Sequence, residues 1–289
     1  MKIGFLFPGQ GAQTVGMGKD LYDEYKEVRD IYIKASSILG IDLAKLTFES
    51  DEETLSETKN TQITILIMSL AILELLKKNN ITAEMAAGLS LGEYSALIHS
   101  NMISFEDGIK IVRKRGELMQ SLVPEGNWSM AAIIGLEDEK VEEACLEAKK
   151  FGFVVPANYN CPKQIVISGE KQAVLEAMKI AKEKGAKLAR ELKTSGPFHT
   201  EKLNKASEEL KKELEKIKVK NVGEIAVVKN IDAKIYCDKD NIKQILSDHI
   251  TSPVRFKESI QTMLNNGIDT FIEIGPRKSI IRICKKDKS

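Results

Sequence analysis

The pentapeptide Gly88-Leu89-Ser90-Leu91-Gly92 constrains this chain more than any other stretch. Small apolar residues lead into it (Met85, Ala86, Ala87) and a helix-forming run follows (Glu93 to Ile98), so the local pattern is strand, sharp turn, helix. Glycines two residues either side of a serine let the backbone turn tightly and leave the hydroxyl at the tip, which is what a nucleophile elbow requires. The N–H of Leu91, heading the next helix, would face an oxygen on whatever Ser90 attacks. Upstream lie a strand at residues 2 to 7, helices through about residue 46, an apolar helix over 61 to 78, and the strand feeding Ser90. With no tight hairpin between the strands, that order predicts an α/β fold with a parallel sheet and crossover connections.

A turn motif of five residues is weakly specific, so the rest of the chain must support it. At 289 residues there is room for one large domain, or a large one with a smaller insert. The 43 basic and 42 acidic residues leave a net charge of +1, so no global field points to nucleic acid or membrane. Residues 63 to 76 form the most apolar stretch, but it is shorter than a bilayer span and carries Thr64, Ser69 and Glu74, which predicts a buried helix. Met1-Lys2 runs directly into Ile3-Gly4-Phe5-Leu6-Phe7 and then Pro8-Gly9, a first strand rather than a secretory signal. Cys145, Cys161, Cys237 and Cys284 are far apart, with no CxxC pair and no histidines at ligand spacing. They read as free thiols in a reducing, cytoplasmic compartment, with no metal site.

Pro8-Gly9-Gln10-Gly11 follows the first strand, a loop whose backbone approaches something closely or simply turns. Ser104 and Asp107 predict a capped helix through about residue 122. On it Arg115 has Ile111, Val112, Leu118 and Met119 one turn away on the apolar face, whereas Arg113 neighbours Lys110 and Glu117 and reads as solvated. A guanidinium on a buried face needs an anion, an internal carboxylate or a stem that reaches water. Pro124-Glu125-Gly126-Asn127 marks a boundary. Beyond it the order is strand (130 to 134), helix (137 to 149), two strands (154 to 157 and 164 to 168) around Asn158-Tyr159-Asn160-Cys161-Pro162, helix (171 to 184) and strand (187 to 192). That β-α-β-β-α-β order predicts a ferredoxin-like insert of about seventy residues. The domains are therefore drawn as 1–125 with 199–289, interrupted by 126–198. Gly196-Pro197-Phe198 delivers His199 to a helix over 201 to 217, at the domain junction where pockets form. Strands follow at 225 to 228 and 270 to 274, a short irregular segment at 231 to 237, a helix at 256 to 265 and a frayed tail from Cys284.

Phe7-Pro8-Gly9-Gln10-Gly11, Gly88-x-Ser90-Leu91-Gly92-Glu93-Tyr94, Arg115-Gly116 with Met119-Gln120, Asn158-x-Asn160, Gly196-Pro197-Phe198-His199, Ser252-Pro253-Val254 and Glu273-Ile274-Gly275-Pro276 occur in one order along the chain. In that combination the chain resembles the malonyl-CoA:acyl-carrier-protein transacylases over essentially its whole length. The resemblance implies an α/β-hydrolase-like large domain with a parallel sheet plus a ferredoxin-like insert. It also implies transfer of a malonyl group from malonyl-CoA to the phosphopantetheine thiol of acyl carrier protein, without a cofactor, by a monomer. Ser90 would be the nucleophile, His199 the general base and acid, and Arg115 the partner of the malonyl carboxylate. The N–H groups of Gln10 and Leu91 would form the oxyanion hole, Met119, Asn160 and Phe198 would line the substrate site, and the His249 carbonyl would orient His199.

Three positions depart from the family's usual pattern: Leu89 where a histidine usually precedes the nucleophile, His249 where Gln or Asn is usual, and Arg277 within the usual Gly-Pro-Gly. They bear on rate and acyl preference more than on reaction type. Two other readings stay open here. A serine thioesterase would use Ser90 and His199 without needing Arg115, and a carrier-protein-binding scaffold would form no acyl-serine. Lys179, Lys182, Lys184, Lys187, Arg190 and Lys193 form a basic segment, either a docking face for an acidic carrier or a solvated surface.

Overall fold

The opening strand, β1 (Ile3–Phe7), is almost wholly apolar and buried along its length, as befits a strand covered on both faces. In the computed structural model, which describes residues 1–194 and 196–280, it lies inside a parallel sheet. Five helices follow: α1 (Lys19–Glu24), α2 (Lys26–Leu39), α3 (Leu43–Phe48), α4 (Glu52–Ser56) and α5 (Thr58–Lys78). The chain then returns as β2 (Met85–Gly88), parallel to β1 with Gly88 opposite Phe7. Next come α6 (Gly92–His99) and α7 (Phe105–Ser121), the latter capped by the Ser104 hydroxyl accepting from the Asp107 N–H at 3.0 Å. α5 is 21 residues long and largely apolar through its middle, yet 72% of its most apolar window is buried within the protein, where it packs against α2 and α7.

A second, antiparallel sheet is built from β3 (Trp128–Ile134), α8 (Asp138–Ala148), β4 (Val154–Cys161), β5 (Gln164–Glu170), α9 (Lys171–Glu183) and β6 (Leu188–Glu191). Its strand order, β4-β5-β3-β6, is that of the ferredoxin-like arrangement. The period of two in β3 divides its two faces. Ala131 and Ile133 join a core with Val141, Ile165 and Val174, while Met130 and Ala132 face the main core of the chain. The chain rejoins the first sheet through α10 (Asn204–Leu214), β7 (Ala226–Val228), α11 (Ile242–Asp248), α12 (Phe256–Asn265) and β8 (Thr270–Glu273), giving the parallel order β7-β2-β1-β8. The carboxyl ends of β1 and β2 therefore stand side by side, the edge at which parallel α/β sheets bind ligands.

Several expectations need correction. Residues 158 to 161, read as part of a loop, continue β4, because the Tyr159 N–H donates to the Val254 carbonyl at 2.8 Å and Asn158 bridges to Val254. The departure from regularity is instead a pair of register shifts at Pro156/Asn158 and Tyr159/Cys161. The single helix expected over 201 to 217 opens as a 3-10 turn (Glu201–Leu203), capped by the Thr200 hydroxyl on the Lys202 N–H, before α10 begins. Arg113 is not a solvated side chain: it pairs with Glu117 at 2.8 Å and donates to the Asn60 side chain at 3.0 Å, across to α5. The tail from Cys284 lies outside the described residues.

One consequence for stability is direct. A Cβ built on Gly92 would stand 2.1 Å from the Phe7 carbonyl oxygen, a backbone atom that cannot give way without moving β1. Gly92→Ala is expected to destabilise the fold by about 3 kcal/mol, at the upper end of overpacking costs. The urea midpoint measures it.

Candidate active site

The sharp turn after β2 is a strained one. Ser90 has φ of 54°, the left-handed region that a residue with a Cβ seldom occupies. A side chain on Gly88 would stand 1.9 Å from the Gly92 carbonyl carbon, so the strand and the helix α6 meet closely on both sides of the serine. The turn is braced from outside. The Ser90 N–H donates to Asn230 Oδ1 at 2.7 Å, and Asn230 Nδ2 donates to the Gly88 carbonyl at 2.7 Å. The hydroxyl is left facing two side chains, His199 Nε2 at 2.8 Å and Arg115 Nη2 at 3.1 Å.

His199 arrives from the far side, also with positive φ (59°), where Gly196-Pro197 ends the return from the second sheet and the Thr200 hydroxyl donates back to the Pro197 carbonyl at 2.7 Å. Its Nδ1 lies 3.0 Å from the His249 carbonyl oxygen. A carbonyl only accepts, so Nδ1 carries the proton and Nε2 presents its lone pair to Ser90. Burial lowers the His199 pKa to about 4, with the Arg115 charge acting in the same direction and the backbone acceptors opposing. The imidazole is therefore neutral at pH 7, the form able to take a proton.

Arg115 leaves α7 on its apolar face and is 1% exposed. Nη1 donates to Gln62 Oε1 at 2.7 Å, and the guanidinium carbon sits 5.5 Å from the Tyr94 ring centroid. Among the described residues no carboxylate pairs with it, and its Nε–H has no acceptor. Gln62 in turn donates to Met119 Sδ at 3.4 Å. A buried guanidinium keeps its charge, and neutral partners compensate it only in part. The arrangement leaves a buried positive charge directly beside the Ser90 hydroxyl.

The loop after β1 closes the third side. A Cβ on Gly9 would come 2.4 Å from the Leu89 carbonyl oxygen, so only glycine lets the loop lie against the elbow. The loop is tied from within by the Gly11 N–H on Gln13 Oε1 at 2.8 Å, and from outside by Arg277, which donates to the Gly11 carbonyl. Arg277 thus has a local reason for its place. Neither the Gln10 N–H nor the Leu91 N–H has a hydrogen-bond acceptor among the described residues.

Of the residues singled out by sequence, Ser90, His199, Arg115 and the His249 carbonyl are brought into direct contact. Leu91 follows the serine directly, Gln10 lies next to Gly9 in the loop packed against Leu89, Met119 is linked through Gln62, and Phe198 is buried directly before His199. Asn160 is 6% exposed on β4 with its Oδ1 unpaired among the described residues, but it makes no hydrogen bond to the Ser90 group. Sequence reasoning missed three residues. Gln62 is an amide in the most apolar helix, a signal that was available; Asn230 gave none. Glu93 belongs to the elbow motif itself and is wholly buried behind the turn. Its Oε1 accepts from the Tyr236 hydroxyl at 2.5 Å, and its Oε2 accepts from the Asn230 N–H at 3.1 Å and lies 3.4 Å from His249 Nδ1.

All three histidines have lowered pKa values, His99 and His199 to about 4 and His249 well below 6.5, each chiefly through burial. An imidazole held neutral when folded titrates near 6.5 when unfolded, so its contribution is complete above about 6.5 and is lost as pH falls towards 4. Glu93, raised by burial to about 7, acts with the opposite sign: its contribution is complete below about 4.5 and lost as pH rises through 7. Three imidazoles outweigh one carboxyl on the acid side. The melting temperature is expected to fall steadily between pH 6.5 and 4, as measured by calorimetry at constant ionic strength.

The acyl transferase domain family matches residues 4–287. The malonyl CoA-acyl carrier protein transacylase of Bacillus subtilis is 44% identical over 286 residues, covering 99% of this chain and 90% of the relative. That of Staphylococcus aureus strain MRSA252 is 40% identical, covering 99% and 92%. Among solved structures, the malonyl CoA-acyl carrier protein transacylase of Clostridium perfringens superposes with a TM-score of 0.94 at 44% identity, covering all of this chain and 90% of that one. A malonyl-transacylase solved in complex with a type II PKS acyl-carrier protein gives 0.94 at 37% identity, covering 99% and 92%. With a family match running through nearly its whole length and relatives at 40% identity and above along it, this chain belongs to the acyl transferase family.

Proposed function

We propose that the chain transfers a malonyl group from malonyl-CoA to the phosphopantetheine thiol of an acyl carrier protein, through an ester on Ser90. The observation that carries the reading is a wholly buried guanidinium, unpaired with any described carboxylate, 3.1 Å from a serine hydroxyl that also meets a neutral imidazole. A three-carbon diacid bound as an ester at Ser90 brings its free carboxylate to Arg115, where a charge-assisted, two-pronged contact is available. Relatives named as malonyl CoA-acyl carrier protein transacylases support the same substrate pair. Residues 1–125 with 199–289 would form the catalytic body and 126–198 its insert, the cleft between them receiving the thioester. A cytoplasmic setting goes with this chemistry, and no cofactor is needed for it.

The steps follow from the contacts. His199 Nε2 takes the hydroxyl proton as Ser90 Oγ bonds to the thioester carbon. The charge moves to the carbonyl oxygen, between the unpaired N–H groups of Gln10 and Leu91. Collapse breaks the carbon–sulfur bond, and coenzyme A leaves with the proton from His199. The carrier thiol then gives its proton to His199, attacks the ester carbon, and the Ser90 oxygen is reprotonated as it departs. A carbonyl behind His199, in place of a carboxylate, fixes the tautomer without adding charge. With the imidazole proton lost near pH 4, the acid limb of kcat/KM should fall near that value, well below the ordinary histidine range.

Intact-protein mass spectrometry tests the reading. Malonyl-CoA should add one malonyl group at Ser90, and holo carrier protein should remove it with matching gain on the carrier. No adduct on Ser90 refutes it and leaves a binding role; an adduct that is hydrolysed but never passed on makes the chain a thioesterase.

A further inference from the structure

We infer that Glu93 is a positioning residue for Ser90, a buried carboxylate that fixes the turn of the nucleophile through Asn230 and so sets its distance to His199. The inference rests on the reading of Ser90 and His199 just given. Both oxygens of Glu93 are engaged. Oε2 accepts from the backbone of Asn230, the residue whose side chain takes the Ser90 N–H at 2.7 Å and ties down Gly88. The same oxygen lies 3.4 Å from Nδ1 of His249 without a hydrogen bond between them, so the backbone of Asn230 is what holds it. Oε1 is held by the Tyr236 hydroxyl, and Tyr236 is backed by Lys229, 5.6 Å from its ring centroid and itself paired with Asp240.

Two strained residues, Ser90 and His199, both at positive φ, approach one another from segments 109 residues apart. Each hangs on a loop, and a loop residue in an unfavourable backbone region stays there only when its surroundings over-determine it. Glu93 is what holds Asn230, and through it Ser90, in place. A separation error of an ångström between base and nucleophile costs about a hundredfold in rate. Loss of Glu93 should therefore act on turnover more than on substrate affinity, since it makes no hydrogen bond to Gln62 or the Gln10 loop and reaches Arg115 only through its charge.

The test is Glu93→Ala and Glu93→Gln, read by malonyl transfer and by phosphonylation of Ser90 with a fluorophosphonate probe. In the probe reaction Ser90 Oγ bonds to phosphorus, fluoride leaves and His199 takes the proton, so activation is read without malonyl. For E93A a fall of about 100-fold in kcat and in the phosphonylation rate is expected, with KM for malonyl-CoA within about threefold of wild type. E93Q, which keeps an oxygen for Asn230 and a polar group for Tyr236, should recover most of the loss. If E93A does not fold, E93D decides: the carboxylate is kept but drawn back by one methylene, and a loss of at least tenfold in phosphonylation is expected. Folded E93A or E93D protein that reacts with the probe at the wild-type rate overturns the inference. Wild-type protein that reacts with the probe but carries no malonyl overturns the substrate reading and leaves this inference standing.

Discussion

Ser90→Ala is expected to lower malonyl transfer by a factor on the order of 10⁵, the scale on which loss of an activated serine is felt elsewhere. No acyl group should then appear on the protein by mass spectrometry, while malonyl-CoA still binds by calorimetry because Arg115 and the Gln10 loop remain. Among the described residues no other hydroxyl hydrogen-bonds to His199, so no neighbouring residue can take over the attack. The variant should not be less stable than the parent. Alanine meets the same backbone strain at φ of 54°, and the two hydrogen bonds lost are those to the hydroxyl, one of them from a guanidinium that can turn to water entering the cleft.

Arg115→Met has two expected effects of opposite sign. Malonyl loading onto Ser90 should fall about 10³-fold, as a buried site that has lost its ionic partner rejects the charged group it was built for. Acetyl-CoA, which leaves the guanidinium unpaired in the parent, should lose far less, so the malonyl-to-acetyl ratio collapses in an acyl-CoA panel. At the same time the melting temperature should hold or rise. Arg115 is 1% exposed on neutral partners, with an Nε–H that no described group accepts, and replacing such a charge by an apolar chain of similar length is neutral or stabilising by about 1–4 kcal/mol. A variant that transfers malonyl as well as the parent would remove the basis for assigning the carboxylate to Arg115. One that melts much lower would show that the guanidinium serves the fold. A thioesterase in which Arg115 has no role would hydrolyse its thioester unchanged.

What the sequence disclosed, and what it withheld, divides along one physical line. The elbow, the Ser104 cap, the glycine loop at Gly9 and the alternation of the second sheet are written in neighbouring residues, because φ, caps and period are properties of a few consecutive positions. Arg115 was legible as a problem, a charge on an apolar helix face, and the structure adds that Gln62 and Ser90 are what it meets. Asn230 and Tyr236 were not legible as site residues, since they reach their partners across 140 and 143 positions. Nothing local marks such a residue. The loop expected at residues 158 to 161 failed for the same reason: its partner is Val254, distant in the chain, and a strand held by remote pairing looks irregular when read alone. Arg113 likewise looked solvated beside Lys110 and Glu117 until Asn60 of α5 came up against it.

The order of strands in the parallel sheet has a bearing on how the protein is made. β1 takes β2 on one side and β8 on the other, with Ile3 opposite Thr270. On a translating ribosome, β1 and β2 can pair once about the first hundred residues have emerged, but the other flank of β1 stays open until synthesis has passed residue 270. The newborn chain carries an apolar, unpaired strand edge for most of its synthesis, the kind of surface that invites aggregation and that chaperones shield. Because closure joins Ile3 to Thr270, a pairing of very long sequence separation, folding should be slow for a protein of this size and should end with the docking of β8 on β1.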